Sequence, residues 1–289
     1  MTHQAAHDHF MAVRPRLFGI AYRMLGTATE AEDILQDVWI KWQDVDITSV
    51  LSPDAYLATA TTRASINAST TARARRETYI GPWLPEPVDT SADPALGAER
   101  GEALEFAVLL LLEKLSPLER AAYVLREAFD YPYDVIAEIV QLKQPAVRQL
   151  VSRARKHLAA ERRTPVPIEQ QRRLLEAFLV AAQAGDLEAL ERLFAEDVIS
   201  TSDGGGKNKL AARILVIGRA RVAQFHAAFA PNFWPGITVR WTEANGQPAI
   251  VLKKDGEEFT VGSVTATADG ISQIMWMMNP EKLGAVARR

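Results

Sequence analysis

Between Tyr133 and Leu158 the apolar positions repeat at helical spacing in two short runs separated by three residues. At 100° per residue, Val147, Leu150, Val151, Ala154 and Leu158 fall within roughly 100° of arc. Arg148, Gln149, Ser152, Arg155 and Lys156 gather on the opposite side, with Arg153 at the edge. Val135, Ile136, Ile139 and Val140 give the preceding run a face that can pack on that stripe. Gln141-Leu142-Lys143 has the length of a tight turn, and Pro145 suits the first turn of the second helix. The pattern predicts a helix-turn-helix. Its second helix carries arginine and glutamine, the side chains that pair bidentately with purine edges in a major groove. A basic, solvated helix end has the same pattern, and the turn has Gln141 where a glycine is usual, so the remaining chain must decide.

Upstream, a first segment runs from about His9 to Arg76. Thr29-x-x-Glu32 has capping-box spacing. Behind it Ile34, Leu35, Val38, Trp39 and Trp42 share one face, and Asp33, Gln36 and Asp37 lie on the other with the apolar Ile40. Ser52-Pro53-Asp54 starts a further helix that carries Tyr56, Leu57, Arg63 and Ile66 and ends in the basic run TARARRE. Residues 78–100 form a Pro-rich linker, extended from Pro82 to Pro87, with Trp83 in its middle. A leucine-rich helix then runs from about Gly101 to Leu115, and Ser116-Pro117-Leu118-Glu119 supplies a capped start with proline at N1. Thr164-Pro165-Val166-Pro167 makes a second linker.

From Ile168 the style changes. An amphipathic helix with Leu174, Leu175, Phe178, Leu179 and Ala182 stops at Gly185, and a shorter one stops at Phe194. An extended Val198–Thr201 and a helix over 219–230 follow. Strand-like runs at 237–243, 248–253, 258–267 and 271–278 are separated by Asn245-Gly246, Asp255-Gly256 and Asp269-Gly270, which are hairpin-turn pairs. Helices followed by an antiparallel meander predict an α+β domain with helices on one face of a curved sheet.

A chain of 289 residues holds two or three such domains. It has no cysteine, so disulfides and thiolate chemistry are excluded, in keeping with a reducing compartment. The longest apolar run, Phe106–Leu112, is too short to cross a bilayer, and the N-terminus lacks a signal peptide's basic start and apolar core. These features predict a cytoplasmic protein without a membrane partner. Charge is distributed unevenly. Residues 28–54 carry seven acids and one base, and residues 143–163 carry seven bases and one acid. Residues 1–165 as a whole hold 19 basic against 22 acidic side chains. A free-standing DNA binder is normally basic overall, because phosphate neutralisation supplies most of its affinity. A basic helix on an acidic body predicts weak DNA binding alone and a large partner that supplies the rest.

The strings AEDILQDVWIKW, RASINASTTARARRE and LSPLERAAYVLREAFDYPYDVIAEI with SRARKHL resemble the two conserved blocks of bacterial sigma-70 factors, in the arrangement of the extracytoplasmic-function class. YIGPWLPEP in the linker, DGGGK at 203–207 and NPEKL at 279–283 narrow the resemblance to the subgroup with a fused SnoaL-like C-terminal domain. It implies a −10-binding domain at 1–77, a linker at 78–100, a −35-binding domain at 101–163, a short linker at 164–167 and a cone-shaped α+β domain at 168–289. The first two are all-α. Core RNA polymerase is the implied partner, through its β′ coiled coil and β flap, together with promoter DNA.

By the same resemblance Asp33, Gln36, Asp37 and Trp39 meet the polymerase, and Arg63, Asn67, Arg73, Arg75 and Arg76 hold the −10 element. Gln144, Arg148, Gln149 and Ser152 read −35 bases, and Arg153, Arg155 and Lys156 position phosphates. Asn67 stands where aspartate is common, and Ser69, Thr70 and Thr71 depart from the usual block, which bears on −10 preference. The C-terminal domain is implied to act in cis through Trp83, Pro85, Asp203, Gly204, Gly205, Gly206, Lys207, Asn279 and Lys282. A short tether gives millimolar effective concentration, so even a weak contact is well populated.

No enzyme is expected, and no metal or cofactor. DGGGK lacks P-loop spacing, and five scattered histidines make no ligand cluster. Asp203, His226 and Arg213, with Trp234 and Trp276 as walls, are the polar candidates for a ligand or acid–base site inside the cone. Three readings stand: a sigma factor controlled in cis by its C-terminal domain, one whose C-terminal domain also binds or turns over a small molecule, and a helix-turn-helix repressor. A cone filled by side chains would sink the second, and the acidic body argues against the third.

Overall fold

A computed structural model describes residues 2–90, 105–161 and 163–284. The chain divides into two compact units. One holds residues 1–77 and 93–162, and the other residues 78–92 and 163–289.

The first unit is helical. Its elements are α1 (Thr2–Leu25), α2 (Ala28–Gln43), α3 (Pro53–Glu77), α4 (Phe106–Leu112), α5 (Pro117–Glu127), α6 (Tyr133–Val140) and α7 (Gln144–Glu161). α1 ends at Gly26, which has φ 74°. The residue that precedes α2 is Thr27, whose hydroxyl donates to the Glu30 carboxylate at 2.7 Å. This corrects the start expected at Thr29 and Glu32: the same spacing occurs two residues earlier, directly after the glycine that breaks α1. Ile34, Leu35, Val38 and Trp42 are buried as the periodicity requires, and the Trp42 indole N–H donates to the Ala6 carbonyl. The capping box at Ser116 and Glu119 is formed in both directions. The leucine-rich helix spans only Phe106–Leu112 among described residues, and the expected start near Gly101 lies outside them.

The segments on either side of the linker, expected as separate domains, pack into one unit through arginines that end on backbone carbonyls. The buried Arg120 donates to Leu112 O at 2.8 Å, to Met24 O at 2.7 Å and to Glu113. Its burial pushes the guanidinium pKa down to about 9. Arg16 donates to Phe129 O and lies over the Tyr131 ring, while Arg23 lies 5.0 Å from the Phe129 ring centre.

The second unit has α8 (Ile168–Ala184), α9 (Leu187–Leu193), β1 (Phe194–Asp203), β2 (Val216–Ile217), α10 (Arg219–Phe233), β3 (Ile237–Ala244), β4 (Gln247–Lys254), β5 (Glu257–Thr267) and β6 (Gly270–Met277). The six strands are ordered β2-β1-β6-β5-β4-β3, with only β1 and β6 parallel. Asn245-Gly246 and Asp255-Gly256 turn with positive φ at both residues, the geometry a two-residue hairpin needs. One sheet face buries Val198, Ile250, Leu252, Val264, Ile274 and Trp276 against Leu175, Phe178, Leu190 and Val222 of the helices. This is the α+β SnoaL-like architecture expected after residue 168. Two elements are additional: β2, and α1, which lies ahead of the first helix start read from the sequence.

Candidate functional site

Three surfaces carry the expected functional residues. The first is α6–α7. α7 buries Val147, Leu150, Val151, Ala154 and Leu158, the five positions its periodicity assigns to the core. Gln144, Arg148, Gln149, Ser152, Arg153, Arg155 and Lys156 are all exposed on the remaining arc. The turn is closed by Gln141 itself in the left-handed conformation, φ 56° and ψ 43°, with its N–H and that of Leu142 both donating to Ala137 O. That explains how the turn forms without glycine. Arg148 stacks over the Tyr133 ring at 4.9 Å, Arg155 pairs with Glu127 at 2.7 Å, and Arg153 lies 3.4 Å from Glu119. These contacts to α5 and α6 hold three of the long cations in a fixed fan.

The second surface lies on α2 and α3. Asp33, Gln36 and Asp37 are exposed beside Ile40, which is 54% exposed. Trp39 is half-buried, its ring 5.0 Å from Phe10 and 5.6 Å from His7, so it braces the face as well as bordering it. Asn67 and Arg73 on α3 are exposed. The other three cations of the expected −10 set are engaged within the unit. Arg63 donates from Nε to Ile139 O and from an Nη to Glu138 O, both at 2.9 Å, at the C-terminal end of α6. Arg75 pairs with Glu30, and Arg76 pairs with Glu113 and donates to Leu25 O. Burial pushes Arg76 down to about 10.

The third surface is the linker junction. Residues 78–90, the larger part of the expected Pro-rich linker, belong to the second unit and meet it at two stations. At the first, the fully buried Asp203 accepts four hydrogen bonds. Oδ1 accepts from the Tyr79 hydroxyl and from Gly205 N–H, and Oδ2 accepts from Leu84 N–H at 2.9 Å and from Lys282 Nζ at 2.7 Å. Lys282 also donates to Leu84 O at 2.7 Å, and its ammonium lies 4.4 Å from the Trp83 ring centre and 5.1 Å from that of Tyr79. Asn279 donates to the Tyr79 hydroxyl. Burial, and then the Asp203 carboxylate, raise the Tyr79 phenol above its usual range, so it remains a donor.

The glycine run allows this packing. Gly205 has φ 60°, and a Cβ there would come within 2.6 Å of Asn279. Gly206 lies against Ile80, Gly204 is buried, and Lys207 reaches Glu281 at the exposed rim. Pro85 is buried. At the second station Val88 N–H donates to Asn245 Oδ1 and Asn245 N–H to Val88 O. Asp89 bridges to Ala244, and Thr90 binds Glu243 and Gly246.

The structure therefore brings YIGPWLPEP, DGGGK and NPEKL to one site. Sequence reasoning missed Tyr79, Leu84 and the whole second station. Tyr79 was visible inside the linker string, and Asn245-Gly246 was visible only as a turn.

Among the described residues the cone interior does not assemble a reactive set. Ser200 and His226 share a hydrogen bond at 3.2 Å among Phe178, Phe194, Phe225 and Trp276. Burial pushes His226 down to about 3, leaving it neutral. Side chains alternate along a strand. Ser200 pairs in register with Ile274, on the core face, whereas Asp203 pairs with Met277 on the opposite face. The aspartate thus points to the linker, away from the histidine. Arg213 lies near Gly81 at the surface, and Trp234 and Trp276 pack on or within the core. Among the described residues no group of side chains is placed to hold a metal, and no helix is long and apolar enough to cross a membrane.

Family models agree with this layout. The sigma-70 region 2 model matches residues 9–76 and the sigma-70 region 4 model residues 105–158. The chain is 36% identical over 237 residues to the ECF RNA polymerase sigma factor SigJ of Mycobacterium tuberculosis, covering 80% of this chain and 75% of that one. It is 27% identical to the probable ECF RNA polymerase sigma factor SigI of the same organism, covering 97% and 96%. The crystal structure of Mycobacterium tuberculosis SigJ superposes with TM-score 0.77 at 30% identity, covering 96% of this chain and 98% of that one.

Proposed function

The chain belongs to the extracytoplasmic-function class of sigma-70 factors with a SnoaL-like C-terminal domain, and from that premise we propose that it directs core RNA polymerase to promoters and is controlled in cis by that domain. Region 4 reads the −35 element through Gln144, Arg148, Gln149 and Ser152, with Arg153, Arg155 and Lys156 on phosphates. Region 2 docks on the polymerase through Asp33, Gln36, Asp37 and Trp39, an acidic face suited to a basic partner. Arg63, Asn67, Arg73, Arg75 and Arg76 hold the opened −10 element, where splayed bases and their phosphates favour arginine.

The observation that carries the cis control is the carboxylate of Asp203. It is fully buried and spends its four hydrogen bonds on the linker, on the glycine loop and on Lys282. A buried ion pair is costly to form unless its remaining valences are satisfied, and here they are satisfied by linker atoms. The linker is the covalent connection between the two DNA-binding regions. By fixing residues 79–90, the C-terminal domain limits the arrangements those regions can reach.

In-vitro transcription with core polymerase tests this, with full-length protein compared with chains ending after Pro167 and before Asn279. Altered output from both truncations at undiminished core binding supports cis control. Unchanged output removes it, and no initiation by any form removes the promoter-directing role.

A further inference from the structure

The sheet of the second unit has two edges, and they are finished differently. One is β2, whose two residues are too few to template another strand. The other is β3, which pairs with β4 in unbroken register from Ile237 to Ala244. Edge strands are usually blunted by lysine, proline or a bulge. The sequence ITVRWTEA has neither lysine nor proline, and it is rich in the β-branched and aromatic residues that suit a pleated strand. Among the described residues its outer edge is joined at one end alone, where Asp89 bridges to Ala244 and Asn245 N–H donates to Val88 O. Backbone groups point to alternate edges along a strand. Asn245 directs its N–H to the outer edge, so Glu243, Trp241, Val239 and Ile237 do the same. The Ile237 N–H is taken by Trp234 O. The N–H groups of Val239 and Trp241 and the carbonyls of Ile237 and Val239 therefore line the outer edge.

We infer that β3 is a docking edge for β3 of a second copy of this chain, antiparallel about a two-fold axis at Val239. The register follows from what each choice sets face to face. Centring the pair on Arg240 puts two guanidiniums directly opposite one another. Centring it on Trp241 puts Val239 against Glu243, whose carboxylate already accepts from Thr90 of the linker. Centring it on Val239 puts Val239 against Val239, Ile237 against Trp241 and Thr238 against Arg240. No like charges are then opposed, and an aromatic ring meets a β-branched side chain. In this register each Val239 N–H donates to the Val239 carbonyl of the other copy, and each Trp241 N–H donates to the Ile237 carbonyl across the axis. Ile237, Val239 and Trp241 pack against the core of the domain, so the pair joins the apolar faces of the two six-stranded sheets into one. Arg240 keeps its bond to Glu258. The pairing ends at Trp241 and the linker's contacts begin at Glu243, so one strand carries both.

Sedimentation velocity of the full-length chain across micromolar concentrations tests this, and a monomer–dimer equilibrium is expected. Thr238 is exposed, and in this register it faces Arg240 of the other copy. Thr238→Arg should weaken dimerisation about tenfold, because the two-fold axis makes each like-charged pair twice, and Thr238→Glu should tighten it about threefold. A merely structural threonine would not answer to the sign of the charge. Val239→Pro removes an N–H that points to the outer edge and leaves the ladder with β4 intact, so the chain should fold, as read by circular dichroism, and dimerise at least about tenfold more weakly. Hydrogen exchange locates the contact: protection of the Val239 and Trp241 amides should rise with protein concentration. A chain that stays monomeric throughout overturns the inference, and so does a dimer indifferent to the charge at 238, which has formed through another surface. Protection of those two amides that does not depend on concentration also overturns it, since the edge is then covered within a single chain.

Discussion

Replacing Lys282 by methionine isolates the junction's central contact. Lys282 is nearly buried and Asp203 wholly so, and their separation is 2.7 Å. Removing one partner of a buried ion pair destabilises by about 3–5 kcal/mol, because the other charge is left uncompensated. Asp203 keeps the Tyr79 hydroxyl and the Leu84 and Gly205 N–H groups as donors, which places the loss at the low end, about 3 kcal/mol. At about 1.4 kcal/mol per factor of ten, the linker should leave the domain about a hundredfold more often. Hydrogen exchange in the full-length protein reads this directly at Leu84, whose N–H donates to Asp203. Val88, held by Asn245 at the second station, should respond less. The double variant Asp203→Asn/Lys282→Met should recover at least half of the loss, since both charges are then gone. The reasoning is refuted if Leu84 exchange changes less than threefold in a folded Lys282→Met chain. It is equally refuted if every amide of the C-terminal domain accelerates with Leu84, because the pair then supports the domain and not the linker.

Other consequences are quicker to check. Gln141 holds a left-handed conformation that disfavours non-glycine residues by roughly 1–2 kcal/mol, so Gln141→Gly should raise stability by about 1 kcal/mol after its unfolded-state entropy is offset, seen as a higher urea midpoint. His226 is pushed down to about 3 by burial from an unfolded value of 6.5, so the unfolded chain binds the proton first and stability falls as pH drops from about 6.5 toward 3. At pH 5 the loss is about 2 kcal/mol, and denaturant titrations at pH 5 and 7.5 should show it in wild type but not in His226→Gln. Arg148→Ala should lower promoter-complex affinity by about 1–3 kcal/mol while core polymerase binding, measured by competition, stays unchanged.

How much of this was legible depended on whether the signal was local. The five buried positions of α7 follow from a 3.6-residue period, and the hairpins at Asn245-Gly246 and Asp255-Gly256 from residues that accept positive φ. Thr29 was a local error of two residues, because Thr27 offers the same spacing directly after Gly26. β2 has two residues and no pattern to read. The junction is different in kind. Tyr79, Asp203 and Lys282 are brought together over separations of 124 and 79 residues, and only the resemblance of the whole chain to a family singled out two of the three strings' charged residues. The extended run legible in the sequence stops at Thr201, short of Asp203; the aspartate's partners are set by sheet register, which places it at the end of β1 opposite Met277 on the face turned away from the helices.

Arg63 shows where sequence reasoning stops for a physical reason. Its place on α3 and its charge mark it as a DNA-facing residue, and it is exposed as that reading requires. Its actual partners are the carbonyls of Glu138 and Ile139, and every residue but proline offers the same backbone groups. No choice of side chain at 138 or 139 announces that α6 ends against α3. The information lies in where α6 stops, at a left-handed Gln141 that leaves its last carbonyls without partners inside the helix. A helix end of that kind needs donors from outside, and an arginine with five N–H groups in a planar fork is suited to supply two of them. The residue that makes the turn of the helix-turn-helix without glycine therefore also leaves the carbonyls that Arg63 of α3 fills. The turn and the contact between α3 and α6 are one feature of the sequence, read at two levels of structure.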